Sequence, residues 1–243
     1  MVPFSFCSRV MHLVEGRALY WPGEEALLVA DLHLEKGSFF ARHGQMLPPY
    51  DSRETLERLA RAIRLTGARR VIALGDNFHD SRGEERMEPF AAGMLSALTR
   101  SVDWTWITGN HDPRMEALAG GALAQELELG GIRLRHKAIK GSPDPEISGH
   151  FHPKLTVLAR GRRISRACGV LATGMGSGWA GDGGEDGADS CGRLILPAFG
   201  ALTGGMSASD PAILAAMQPA GRIDAIVPAA GRLVQYPLWR AAA

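Results

Sequence analysis

The chain is predicted to be an α/β protein, a single domain over residues 1–243 built on two packed β-sheets. Three observations predict this. Strand-sized apolar runs alternate with helical patterns through the first half. Each of those runs ends in a polar cluster, often with a glycine. The second half reads as a succession of short strands with few helices.

The elements follow in order. EALLVA (25–30) runs into Asp31, RRVIAL (69–74) into Gly75-Asp76, and DWTWIT (103–108) into Gly109-Asn110. Each run is short and rich in β-branched, aromatic or leucine residues, as a strand requires. Between them, residues 53–66 place Leu56, Leu59, Ala60 and Ile63 at helical spacing, and Gly67 marks the stop. Residues 84–100 predict a second helix. Strand–helix–strand alternation implies right-handed crossovers and a largely parallel or mixed sheet, with sites beyond the carboxyl ends of its strands. Residues 132–136, 155–159, 163–170, 193–199, 224–229 and 232–237 predict the second sheet, and the glycine-rich, acidic stretch 172–190 a flexible loop.

Composition narrows the function. Of 243 residues, 45% are hydrophobic and 22% charged, and the formal net charge of +1 gives no global case for a nucleic-acid coat or a membrane surface. Basic clusters occur at Arg61, Arg64, Arg69 and Arg70, at Arg133, Arg135, Lys137 and Lys140, and at Arg160, Arg162, Arg163 and Arg166. They read as solvated helix faces and strand ends, the default for charge. Cys7, Cys168 and Cys191 form no zinc spacing, and three cysteines suit free thiols in a reducing compartment. No apolar run approaches the ~20 residues needed to cross a bilayer. MVPFSFCSRVMHLVEGR does not read as a secretory leader. A cytoplasmic location, away from membranes, is expected.

The polar clusters carry the chemistry. DLH supplies Asp31 and His33, GDNFHD supplies Asp76 and His79, GNHD supplies Asn110, His111 and Asp112, RHK supplies His136, and GHFH supplies His150 and His152. Six of the eight histidines fall in these segments. Singly, each has a plain structural reading: a cap, a turn signal, a satisfied strand-end histidine. Jointly, their placement after strands and their mixture of imidazole, carboxylate and amide fit a centre for two divalent ions. Such nitrogen and oxygen donors suit Mn2+, Fe or Zn better than Mg2+ or Ca2+.

The order D-x-H, G-D, G-N-H-D, H, G-H-x-H resembles the calcineurin-like metallophosphoesterase family. The resemblance implies a four-layer α/β sandwich with two mixed sheets flanked by helices. It implies Asp31, His33 and His152 around one ion, Asn110, His136 and His150 around the other, and Asp76 bridging them. His111 would sit over the substrate phosphate as a catalytic residue. Asp112 would orient the other ring nitrogen of His111, a role expected from the N-H-D order. ADLHLEKG (30–37), LPPYD (47–51), SGHFHP (148–153) and LPAFGALTGG (196–205) carry the likeness further, to a bacterial group of ligase-associated DNA damage response endonucleases. That likeness implies DNA as substrate, DNA repair as context, and a DNA ligase or helicase as partner.

Arg42 and His79 are weaker candidates for substrate contact, with His43 beside Arg42 in a proline-bearing loop; His12 reads as bland. Asp182, Glu185, Asp186 and Asp189 would repel DNA if their loop lay on the active face. Two alternatives follow: a phosphatase or phosphodiesterase for nucleotides or other small phosphates, and an inactive protein-binding scaffold of the same fold. The complete ligand set and His111 weigh against the scaffold. The sequence leaves the oligomeric state open.

Overall fold

The first strands form a meander that the apolar runs do not announce. In the computed structural model, which describes residues 1–116, 119–142, 144–174 and 191–241, β1 (Val2–Phe6), β2 (Arg9–Val14), β3 (Ala18–Trp21) and β4 (Ala26–Val29) pair antiparallel in sequence. From β4 the sheet turns parallel through β5 (Arg70–Leu74), β6 (Asp103–Ile107) and β7 (Ala122–Ala124), seven strands in chain order. Every residue of β4 is buried, as a strand covered on both faces must be.

Between these strands lie α1 (Lys36–Arg42), α2 (Asp51–Thr66), α3 (Gly83–Arg86) and α4 (Pro89–Ser101). α2 buries Leu56, Leu59 and Ala62, and Gly67 ends it in the left-handed conformation, donating its N–H to Ile63 O (2.8 Å). The helix expected over 84–100 is broken. Pro89 starts a new helix, and the Glu88 carboxylate accepts the Phe90 and Ala91 N–H groups (both 2.9 Å).

The second sheet also has seven strands. β8 (Glu126–Leu129), β9 (Ile132–Arg135), β10 (Glu146–Ser148), β13 (Gly169–Thr173), β14 (Arg193–Ile195), β15 (Arg222–Ala229) and β16 (Arg232–Arg240) lie in the order β16-β15-β13-β14-β10-β9-β8. The pairs β9–β10 and β10–β14 are parallel and the rest antiparallel, so both sheets are mixed. The strand expected over 163–170 splits at Cys168. Its first part is β12 (Arg162–Ala167), which pairs only with β11 (Lys154–Ala159) as a separate two-stranded ribbon. One short helix, α5 (Pro211–Ala216), is not among the elements the sequence predicts.

Three apolar clusters define the layers. Leu13, Leu28, Ile72 and Ile107 meet Ile132, Leu134, Ile147 and Ile226 between the sheets. Leu56, Leu59 and Leu95 cover Val71 and Trp104 on the outer face of the first sheet. Ile213 and Met217 cover Val170, Ile195 and Ala225 on the outer face of the second. The result is helix, sheet, sheet, helix, the four-layer sandwich. The thiol expectation needs correction: Cys7 and Cys191 form a disulfide from the end of β1 to the start of β14, and only Cys168 is free, buried in the outer cluster. The expected loop at 172–190 lies, from residue 175 on, outside the described residues.

Candidate metal centre

The strand ends converge. Asp31 and His33 follow β4, Asp76 follows β5, Asn110 and His111 follow β6, His136 follows β9, and His150 and His152 follow β10. The backbone is bent to aim them. Asp31, His33, Asp76, His150 and His152 all have positive φ, between 45° and 75°. Such a conformation costs an L-residue about 1–2 kcal/mol and persists only where the surroundings enforce it. Here the enforcement is a strand-like pairing of the first two loops: the His33 and Leu34 N–H groups donate to Asp76 O and Asn77 O (both 2.9 Å).

Two glycines allow the close approach. A Cβ on Gly109 would collide with the backbone nitrogen and carboxylate of Asp76. A Cβ on Gly149 would lie 2.7 Å from both Ala30 Cβ and Asp31 Oδ2. Asp31 in turn accepts the His150 N–H at 2.9 and 3.1 Å.

The side chains gather in two groups that share Asp76. Asp31, His33, Asp76 and His152 form one, and Asp76, His136 and His150 the other, with the donor atoms of each group within 4.8 Å of one another. In the first, the Nε2 atoms of His33 and His152 stand 3.2 Å apart, and His152 Nε2 is 3.4 Å from Asp31 Oδ1. In the second, His136 Nε2 is 2.9 Å from Asn110 Oδ1, 3.1 Å from His150 Nδ1 and 3.4 Å from Asp76 Oδ1. His136 Nδ1 faces Leu74 O at 3.0 Å, so its N–H donates there and Nε2 is left with a lone pair that could hold a metal.

These residues fit divalent cations. Asp31 and Asp76 are 0% and 2% exposed, and their ion-pair partners among the described residues are all histidines. Buried carboxylates without a permanent cation are costly. Two of the imidazoles do not supply one: burial holds His33 down to about 2 and His150 down to about 4, so both stay neutral with free lone pairs. Burial likewise pushes the Asp31 carboxyl up, partly offset by His152. A divalent cation held by such a group would satisfy carboxylates and imidazoles together.

His111 stands at the rim, exposed, with Nε2 4.0 Å from Asp76 Oδ2. Its Nδ1 lies 2.9 Å from His79 O and its backbone N–H donates to Asp76 Oδ1 (2.9 Å). The expected contact between Asp112 and the His111 ring is therefore corrected. The Asp112 carboxylate turns inward and accepts the N–H groups of Asn77 (2.7 Å), Gly109 (2.8 Å) and Phe78 (3.2 Å). It ties the loops of Asp76 and Asn110 to each other, and the His79 carbonyl holds His111 instead.

His79 stacks on His111 with ring centres 5.0 Å apart, and its Nδ1 is 3.4 Å from His33 Nδ1. Burial, with smaller contributions from Lys36 and His111, lowers its pKa to about 4. His33, His79 and His111 form a third group of closely spaced nitrogens. Phe39 and Phe40 wall this side, 4.7 and 5.4 Å from the His79 ring, and the adjacent aromatics of KGSFFAR are their signal in the sequence. Arg42 lies at the end of α1, exposed, on an open groove of about 530 Å³ shared with Phe39, His43, Arg82, Asn110 and His111.

The chain belongs to the calcineurin-like phosphoesterase family, whose model matches residues 26–227. The class the fold and site define is thus a metal-dependent phosphoester hydrolase. Among solved structures the chain is similar to a Pseudomonas putida nuclease, MPE, at 25% sequence identity and a TM-score of 0.66, over 96% of this chain and 98% of that one. A search of curated proteins finds no match. No helix among the described residues is long and apolar enough to cross a membrane.

Proposed function

We propose that this chain is a dinuclear, manganese-dependent phosphodiesterase that cuts DNA, with DNA repair as its setting. The carrying observation is the pair of imidazole–carboxylate groups that share Asp76 and, among the described residues, pair with no lysine or arginine. In this reading Asp31, His33 and His152 would hold one ion, Asn110, His136 and His150 the other, and Asp76 would serve both. Two such ions lower the pKa of water and offset charge on the phosphoryl oxygens.

The chain's own groups do the rest. Asn110 presents its amide oxygen without adding charge. His111, with Nδ1–H held by the His79 carbonyl (2.9 Å), directs Nε2 toward the phosphate. There it donates to a phosphoryl oxygen or protonates the leaving alkoxide when it carries its second proton. Arg42 and His79 flank the phosphate on the groove side. Asp112 acts on position only, through the backbone of both loops. The nuclease neighbour supports DNA over a small substrate; the near-neutral net charge of +1 favours nucleotides or other small phosphodiesters as the second reading.

Nicking of a supercoiled plasmid by the manganese-loaded protein, with Asp76→Asn alongside, separates them. Nicking lost in the variant supports the DNA reading. Hydrolysis of bis(p-nitrophenyl) phosphate without nicking moves the substrate to small diesters, and neither activity from a metal-replete protein leaves a scaffold.

A further inference from the structure

The β11–β12 ribbon takes no part in the chemistry above. It bonds to neither seven-stranded sheet through a strand edge. Ala159 pairs with Arg162 across a two-residue turn, Arg160-Gly161, in which both residues have positive φ (50° and 74°). That turn matches the twist of its strands and makes a tight hairpin. Six residues per strand at ~3.3 Å each carry the tip about 20 Å from its base, and the base begins two residues beyond His152.

The charge on this arm is one-sided. Residues 154–167, KLTVLARGRRISRA, hold five Lys or Arg and no Asp or Glu. Arg160, Arg162, Arg163 and Arg166 are exposed and make no ion pair among the described residues. Elsewhere Arg53, Arg69, Arg82 and Arg133 each face a glutamate, while Arg42, Arg64, Arg100, Arg114 and Arg232 are exposed without an ion pair among the described residues but stand apart in the sequence, whereas the ribbon gathers four such arginines within seven residues. Free guanidinium groups without acids are matched to phosphate oxygens, which their forked donors meet two at a time.

The apolar content argues against other occupants. Leu158 is 78% exposed and Ile164 39%. The register places Leu158 opposite Arg163 and Ile164 opposite Val157, so the two exposed apolar side chains lie on opposite faces of the ribbon. Arg162 and Arg166 share one face, four residues or about 13 Å apart, the rise of roughly four nucleotides in one DNA strand. Cations continue toward the centre. Lys154 starts the arm, and its charge acts on Lys36, which opens α1 three residues after His33.

We propose that the β11–β12 hairpin is a phosphate-gripping arm that holds the backbone of a DNA strand leading away from the metal centre. This rests on the DNA reading above and assigns the cluster that composition alone consigns to solvent. The test is equilibrium binding of a fluorescently labelled DNA oligonucleotide in EDTA, so that no cleavage is involved, across a salt series. Arg162→Gln, Arg163→Gln and Arg166→Gln together should weaken binding at least about tenfold at ~0.1 M salt and lower the slope of log K against log salt by about 2–3. The corresponding triple lysine variant should retain the slope.

Wild-type affinity and slope in the glutamine variant would overturn the proposal. So would a glutamine variant that loses a dimer seen by sedimentation while keeping its DNA affinity, because the arm would then serve a second copy of the chain. Hydrolysis of bis(p-nitrophenyl) phosphate by the unmodified protein is measured in parallel. Hydrolysis without DNA affinity overturns the arm alone, and DNA affinity without hydrolysis overturns the phosphoesterase reading alone.

Discussion

Asp112→Ala removes an acceptor from three backbone donors at once. The carboxylate is 0% exposed and receives the N–H groups of Asn77, Gly109 and Phe78 at 2.7, 2.8 and 3.2 Å. A buried donor left without a partner costs about 1–3 kcal/mol. Three of them give ~3 kcal/mol at the low end, with water entering the gap keeping the loss from reaching the sum of the upper values. Burial raises the Asp112 pKa and the backbone donors oppose that rise, so the carboxylate is held for its hydrogen bonds. Asn at this position keeps one acceptor oxygen and should cost less than Ala.

The assay is urea unfolding of metal-free protein, with manganese affinity measured beside it. Asp112→Ala should lower the unfolding free energy by ~3 kcal/mol at unchanged m-value. Its manganese affinity should also fall, because Asn77 and Gly109 flank Asp76 and Asn110. Unchanged stability and metal affinity with turnover lost would refute this reasoning and return Asp112 to direct action on His111.

Three further outcomes are expected. His111→Ala should keep its metal content and lose about 10²–10⁴-fold in turnover, measured on bis(p-nitrophenyl) phosphate beside metal analysis; lost metal would make it a ligand instead. Gly149→Ala, whose new Cβ lies 2.7 Å from Asp31 Oδ2, should destabilise the fold by about 1–3 kcal/mol and weaken metal binding, and a wild-type melting curve and affinity would refute the close approach. Burial pushes the Cys168 thiol up to about 12, so a thiol reagent at neutral pH should find nothing in the native protein and one thiol after unreduced denaturation; three would contradict the Cys7–Cys191 bond.

The parts legible in the sequence are those where composition and position act together. The parallel strands β4 to β6 are buried and apolar over most of their length, and the candidate ligands lie where each strand ends, so DLH, GDNFHD and GNHD stood out against their apolar runs. The meander β1–β3 did not, because its strands are short and are joined by turns at Cys7-Ser8 and Glu15-Gly16, three of whose residues are non-glycine residues in the left-handed region. The same conformation at Asp31, His33, Asp76, His150 and His152 decides where the ligands aim, and no residue preference announces it.

Adjacency misled at Asp112. The Asp112 carboxylate is directed inward to the Gly109 N–H while the His111 ring faces the His79 carbonyl, so neighbours in sequence do not meet in space. The disulfide was hidden for another reason: its cysteines are 184 residues apart and meet only because two sheets pack. The arginines of the hairpin could be counted in the sequence, but that none meets an acid among the described residues required the fold.

The most direct measurement is metal content against hydrolysis for the wild-type chain and Asp76→Asn, after loading with manganese and removal of excess. Two ions per chain and bis(p-nitrophenyl) phosphate hydrolysis are expected for the wild type, with one ion or none and no measurable hydrolysis for the variant. Two tightly held ions and full hydrolysis in Asp76→Asn, or hydrolysis by the metal-stripped wild type, would contradict a centre organised on Asp76.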